Sequence, residues 1–232
     1  MILSELIQRS PIRIFEQSIH GGLKAGEIGI IASQNGLGKT SVLVQLGLDN
    51  LLQGKKVIHV SFAQHTHYVL TWYEDIFQEF ISPKNLENTT EIKNDLVKNR
   101  VLMNFNQDGM SKAQILKSLR AMIVDGGFKA ESVIIDGFDF SRADIGCIAA
   151  AKDFAKVLGL SLWYSCSISD KGQQLNENKF PVVLEKHRDS IDVVIVLEPK
   201  QDHIALSVSK DRDTNDTKAM AARLDPRTML IQ

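Results

Sequence analysis

A glycine-rich turn near the amino terminus holds the side chains best suited to chemistry. The stretch "SQNGLGKTS" (33–41) ends in Lys39, Thr40 and Ser41. Glycines let backbone N–H groups close around phosphate oxygens, and a helix that starts there adds the positive end of its dipole. In such a loop the lysine reaches the β- and γ-phosphates and the threonine hydroxyl binds Mg²⁺. The stretch therefore predicts a site for a nucleoside triphosphate.

Every residue of this loop is a candidate for contact with the nucleotide, because the loop wraps around the phosphates. Lys39 is the expected phosphate-binding side chain and Thr40 the expected magnesium ligand. Ser33 stands where the pattern usually has its first glycine, and serine is small enough to fit the turn. The expected nucleotide-binding residues are Ser33, Gln34, Asn35, Gly36, Leu37, Gly38, Lys39, Thr40 and Ser41.

A carboxylate that could share the magnesium ion follows a later apolar run. In "VIIDG" the aspartate is Asp136, at the end of a predicted buried strand. Open α/β sheets bind ligands at the carboxyl ends of their strands. We therefore expect Asp136 to hold Mg²⁺ through water. The alternative is an aspartate that only ends a strand before a turn, and the phosphate loop upstream favours the magnesium role.

The elements that position these residues are predicted from the pattern of apolar positions. "GEIGIIAS" (26–33) is typical of a strand covered on both faces, and a helix follows the loop to about Gly54. Apolar runs then alternate with helical patterns until the C-terminus, where strands follow one another directly. This order predicts an α/β fold with a mostly parallel, doubly wound sheet and C-terminal antiparallel β-hairpins.

A single domain is predicted over residues 1–232. Residues 1–19 form a helical lead-in that Pro11 divides, because proline interrupts a helix. The polar stretch 81–100 is predicted to be a mobile or solvent-facing excursion with a helix inside it.

Composition bounds the class of protein. The chain has 232 residues, 44% of them hydrophobic, with a formal net charge of −1, which does not indicate a nucleic-acid or membrane partner. The two cysteines, Cys147 and Cys166, lie far apart and favour a reduced, cytoplasmic location. We expect neither a signal peptide nor a membrane span, since charges come early and no run of ~18 apolar residues occurs.

With these residues placed, the chain resembles the RecA-like P-loop ATPases, and most closely the KaiC-type ATPases and the motor domain of DnaB-type helicases. "GGLKAGE" (21–27) is similar to the family's approach to the phosphate loop. "SKDRD" resembles its Lys-x-Arg element and gives Lys210 and Arg212. The resemblance implies a RecA-like fold, ATP or ADP with Mg²⁺ as ligands, and a homo-oligomer in which Lys210 and Arg212 act in trans on a neighbour's nucleotide. A protein partner is the alternative to the homo-oligomer. The alternative is two solvated cations at a strand end.

The residue after the second core strand differs from the family's pattern at a position used for catalysis. The relatives carry a glutamate after the second core strand, and this chain has Ala63 there. A positioned general base typically contributes ~10²–10⁴-fold to a rate. Gln64 could orient the attacking water in its place, and Asp139 could accept the proton.

Three functional hypotheses follow. The first is an ATP/Mg-binding RecA-fold protein with weak or absent hydrolysis, acting as a nucleotide-dependent regulatory or assembly module. The second is an active motor ATPase acting on single-stranded DNA. The loop expected to bind DNA has no net positive charge from its lysines, because Asp170 and Glu177 offset Lys171 and Lys179. The third is a relative that has lost the nucleotide, which the intact phosphate loop disfavours.

Overall fold

The sheet is the frame of the molecule in the computed structural model, which describes residues 3–62, 66–81, 88–106, 112–168 and 174–232. The strands are β1 (Ile28–Ser33), β2 (Val57–Ser61), β3 (Arg100–Asn104), β4 (Ser132–Asp136), β5 (Ser161–Ser167), β6 (Val193–Pro199), β7 (Ile204–Asp211) and β8 (Lys218–Leu224). They form one 8-stranded sheet in the order β3-β2-β4-β5-β1-β6-β7-β8. The pairings from β3 to β6 are parallel, and β7 and β8 are antiparallel. The predicted α/β sheet is confirmed.

Helices cover both faces of this sheet. They are α1 (Leu3–Gln8), α2 (Ile12–Gln17), α3 (Lys39–Leu52), α4 (Thr66–Ile81), α5 (Thr89–Lys98), α6 (Lys112–Arg120) and α7 (Cys147–Leu158). On one face α3 packs against α1, α2, α4 and α5. On the other face α7 packs against α6 and against a 3₁₀ helix, Val182–Ser190. Parallel strands need such crossovers, which explains why their sequences read as continuous apolar runs.

Both local predictions about helices are confirmed within the described residues. Pro11 separates α1 from α2, as predicted for the helical segment 1–19. Helix α5 lies inside the predicted excursion 81–100, and its Leu96 is buried against the core. Residues 82–87 of that stretch lie outside the described part of the chain.

The 3₁₀ helix was not predicted from the sequence. Its buried side chains are Leu184 and His187, which are three residues apart. That spacing matches 3.0 residues per turn and produces no 3.6-residue periodicity over so short a segment. The segment connects β5 to β6 and covers the face of the sheet opposite α3.

Candidate nucleotide-binding site

Backbone geometry between β1 and α3 requires the glycines of the loop. Gly36 has a φ of 81° and Gly38 a φ of 89°, values that side chains other than glycine rarely adopt. A Cβ atom on Gly36 would meet nothing within 4 Å, whereas one on Gly38 would lie 2.6 Å from Leu224 Cδ2. Gly38 is therefore required both for its backbone conformation and for the close approach of β8.

Ser33 fits the turn in place of the usual glycine. Its side chain is buried, and its hydroxyl donates to the carbonyl of Gln34 at 2.8 Å. Its own carbonyl accepts a hydrogen bond from the backbone N–H of Ile168 at 2.9 Å. The serine thus adds a hydrogen bond within the loop and leaves the strand pairing to β5 intact.

The ammonium group of Lys39 lies folded over this loop. Its Nζ donates to the carbonyls of Ser33 at 3.1 Å and Gln34 at 3.0 Å. Burial lowers the pKa of Lys39 from its ordinary value, and the negative charge of Asp136 opposes that shift. The hydroxyl oxygen of Ser33 lies 3.4 Å from the same Nζ. All these acceptors are neutral, so phosphate oxygens that entered the loop would be stronger acceptors for the ammonium.

Thr40 and Asp136 meet, although they are far apart in the sequence. The Thr40 hydroxyl donates to Asp136 Oδ2 at 2.7 Å. Asp136 ends β4, Thr40 lies in the first turn of α3, and β5 runs between β4 and β1. The carboxyl ends of these parallel strands lie at one edge, which brings the two residues predicted as magnesium ligands into contact.

The backbone after Asp136 is held by a side chain that sequence reasoning missed. Ser165, near the end of β5, accepts a hydrogen bond from the N–H of Gly137 at 2.7 Å. A serine at the end of a strand is too common for its position alone to predict this contact. The bond fixes the turn that follows the magnesium candidate.

Another missed contact joins the loop to the C-terminal segment. The hydroxyl of Ser41 donates to the carbonyl of Met229 at 2.5 Å. Gln45 donates to the same carbonyl at 2.9 Å and accepts from the N–H of Ile231 at 2.8 Å. These contacts span more than 180 residues of sequence, and no local pattern marks them.

Gln64 and Asp139 are the two residues predicted to take the place of the catalytic glutamate. Ala63 and Gln64 lie outside the described residues, so the role of Gln64 stays a prediction. Asp139 accepts hydrogen bonds from the N–H of Ser141 at 2.9 Å and from its hydroxyl at 2.5 Å. Burial raises the pKa of Asp139, but these hydrogen bonds and Arg142 hold it below its ordinary value. A carboxylate of low pKa is a weak base, so Asp139 is poorly suited to accept a proton.

Lys210 and Arg212 lie at the opposite edge of the sheet from the glycine-rich loop that follows β1. Lys210 pairs in register with Val194, near the start of β6, and its side chain is buried and donates to the Ile191 carbonyl at 2.5 Å. Arg212 donates to both carboxylate oxygens of Glu27, at 2.7 and 3.0 Å. The alternative of two solvated cations is therefore wrong.

Arg212 also donates to two carbonyls of the segment before β1. These belong to Ile19, at 2.8 Å, and Gly22, at 2.7 Å. The side chain thus links the end of β7 to the segment that precedes β1. A role of Lys210 and Arg212 at a neighbouring subunit stays a prediction, and it would require these contacts to break.

The described residues contain no group of three or more His, Cys, Asp or Glu side chains arranged to hold a metal. A hydroxyl and one carboxylate, as in Thr40 and Asp136, suit Mg²⁺, which keeps several of its waters. No helix in the described ranges is long and apolar enough to cross a bilayer.

No protein-family model matches the chain, and no curated protein matches it. The resemblance to RecA-like ATPases therefore depends on the motifs of the sequence itself.

Proposed function

We propose that this chain is an ATP- and Mg²⁺-binding protein of the RecA-like P-loop class that acts as a nucleotide-dependent regulatory or assembly module and hydrolyses ATP weakly or not at all. The observation that carries the proposal is the hydrogen bond from Thr40 to Asp136 beside the Lys39 ammonium. The strand order supports it, since β1 and β4 end at the same edge, on either side of β5.

Each residue has a defined role in this proposal. The backbone N–H groups of the loop and the start of α3 bind the phosphates, and Gly36 and Gly38 allow that conformation. Lys39 would exchange its carbonyl partners for phosphate oxygens. Thr40 and Asp136 would hold Mg²⁺, which would supply positive charge to the phosphates. These groups account for binding without a general base.

Weak hydrolysis is the second part of the proposal. Ala63 has no group that can accept a proton from water. Hydrogen bonds from Ser141 to Oδ1 stabilise the ionised form of Asp139 and lower its pKa, which makes it a weak base. A rate lower by about 10²–10⁴-fold than that of relatives with a glutamate is expected from the loss of a positioned base.

Binding is tested by isothermal titration calorimetry, in which the protein is titrated with ATP or ADP in the presence of Mg²⁺. Lys39→Ala should weaken ATP binding by about tenfold to a hundredfold, since charge-assisted hydrogen bonds contribute about 1.5–3 kcal/mol. The matched control is Lys98→Ala, whose side chain is 73% exposed on α5. Equal affinity in wild type and Lys39→Ala would contradict the proposal.

Hydrolysis and assembly need separate measurements. Phosphate release should be slow with or without single-stranded DNA, and strong stimulation by DNA would indicate a motor ATPase instead. Ala63→Glu should increase the rate of release. Light scattering after size exclusion should show a larger species with ATP than without it, and a strict monomer in both conditions would remove the assembly role and the trans role of Lys210 and Arg212.

A further inference from the structure

A cavity lies between α6, α7 and the ends of β2, β4 and β5, on the face of the sheet opposite α3. Its volume is about 330 Å³. An apolar cavity of ~150 Å³ is large enough to hold a benzene molecule. The space therefore has room for a molecule with two fused six-membered rings.

The walls of this cavity are aromatic and aliphatic. Phe138 packs edge-on against Phe62, with ring centroids 5.9 Å apart, and against Tyr164, with centroids 5.6 Å apart. Aliphatic side chains complete the walls, namely Ile115, Leu116, Ile135 and Ile148. Aromatic rings attract one another in offset and edge-to-face arrangements, so walls of this kind favour a flat aromatic ligand.

A phenol hydroxyl without a protein partner belongs to this wall. Tyr164 lines the cavity and is 3% exposed. Burial raises the pKa of its phenol well above the ordinary value, so the group keeps its proton and can donate it. The hydroxyl has no hydrogen-bond partner among the described residues, yet it is not one of their fully enclosed atoms. Buried tyrosine hydroxyls usually find a partner, which points to an acceptor that enters the cavity.

Charges around the cavity favour an uncharged ligand. Asp144 is the one charged residue among the described lining residues, and it is exposed to solvent. The first turn of α7 also borders the cavity, and the positive end of its dipole opposes that carboxylate. Close by, Arg142 pairs with Asp139 at 3.4 Å, and Lys186 donates to the carbonyl of Ala143 at 2.6 Å. Neither a cation nor an anion therefore gains a clear advantage.

We propose that this cavity is a binding site for an uncharged aromatic molecule of two fused rings that carries one hydrogen-bond acceptor. The rings occupy the space beside Phe62 and Phe138, and the Tyr164 hydroxyl donates to the acceptor. The site goes beyond the proposed function and does not rest on it, because it lies on the face of the sheet opposite α3.

The probe is quinoline, whose ring nitrogen is the acceptor, and naphthalene is the matched probe without one. Isothermal titration at neutral pH, where quinoline is uncharged, should show saturable binding. Cys147 lines the cavity and is partly exposed, whereas Cys166 is 1% exposed. Saturating quinoline should therefore slow the modification of Cys147 by a thiol reagent. Absence of saturable binding, or an unchanged rate at Cys147, would overturn the proposal.

Replacement of Tyr164 by phenylalanine tests the hydrogen bond. Tyr164→Phe should weaken quinoline binding about fivefold and leave naphthalene binding unchanged. The urea midpoint of the free protein should stay the same, because the hydroxyl has no protein partner to lose. The control is Tyr68→Phe, which removes a hydroxyl from a residue that is 59% exposed on α4. Unchanged quinoline affinity in Tyr164→Phe, an equal loss for naphthalene, or a lowered urea midpoint refutes the role of this hydroxyl.

A second variant tests the space itself. Ala150 lines the cavity from an exposed position on α7, so a larger side chain there should be compatible with the fold. Ala150→Trp should fill the space and abolish binding of both probes. Undiminished binding of either probe in a folded Ala150→Trp protein refutes the site.

Discussion

Replacement of Gly38 by alanine should destabilise the protein much more than the same change at Gly36. Both glycines have positive φ values, 89° and 81°, so both substitutions carry the left-handed backbone cost of about 1–2 kcal/mol. They differ in their surroundings. The new methyl group at Gly38 would lie 2.6 Å from Leu224 Cδ2 and 3.4 Å from Met229 Sδ, whereas at Gly36 it would meet nothing within 4 Å.

Leu224 has little room to move away, because it is fully buried in the core. An inserted methyl group in a packed core typically costs about 1–3 kcal/mol. We therefore expect Gly36→Ala to lower the free energy of unfolding by about 1–2 kcal/mol. Gly38→Ala should lower it by a further 1–3 kcal/mol or so.

Equilibrium urea denaturation measures both values, provided that the slope with denaturant is unchanged. A double-mutant cycle then tests the cause. In a Leu224→Ala background the steric part should vanish, and Gly38→Ala should cost only about as much as Gly36→Ala. Equal costs for the two alanine variants in the wild-type background, or an undiminished cost in the double variant, would refute the steric argument.

Three further outcomes are expected. Burial lowers the pKa of His59 to about 4 from 6.5, so the unfolded chain binds the proton more readily in that interval. The free energy of unfolding should therefore fall by about 3 kcal/mol as the pH drops from 6.5 to 4, and His59→Leu should flatten this dependence in urea titrations at a series of pH values. Arg212→Ala should lower the free energy of unfolding by about 2 kcal/mol or more, because Glu27 loses a charged partner. Arg212→Lys should recover little of this stability, since lysine lacks the planar guanidinium that contacts both carboxylate oxygens. Full recovery by Arg212→Lys in thermal unfolding would contradict this account. Asp136→Asn should abolish the gain in ATP affinity that Mg²⁺ produces in calorimetry, and a gain equal to that of the wild type would exclude the metal role.

Local features of the site could be predicted from the sequence because their residues are contiguous. A strand, a glycine turn and a helix start follow one another over residues 28–40, and the chemistry of each residue limits its conformation. The separation of α1 from α2 at Pro11 was predictable for the same reason. The 3₁₀ helix at 182–190 was not, because three-residue periodicity over one short segment leaves no distinct pattern.

Contacts between residues that are distant in the chain were harder to predict from the sequence. The pairing of Thr40 with Asp136 was expected only because each residue belongs to a motif, and the hydrogen bond depends on the position of β5 between β4 and β1. The burial of Lys210 and the contacts of Arg212 depend on how β7 returns along β6. Two basic residues in a strand carry no signal that says whether solvent, carbonyls or carboxylates will surround them.

By itself the sequence determined the glycine-rich turn before α3, the succession of strands and helices, and the presence of Ala63 where the family that the chain resembles carries a glutamate. These properties depend on residue type and on neighbours within a few positions. Tertiary structure alone decided that the carbonyl of Met229 accepts a hydrogen bond from Ser41 in α3 and that Glu27 holds Arg212. Such contacts join residues distant in the chain, and their energies arise only when packing removes both partners from water.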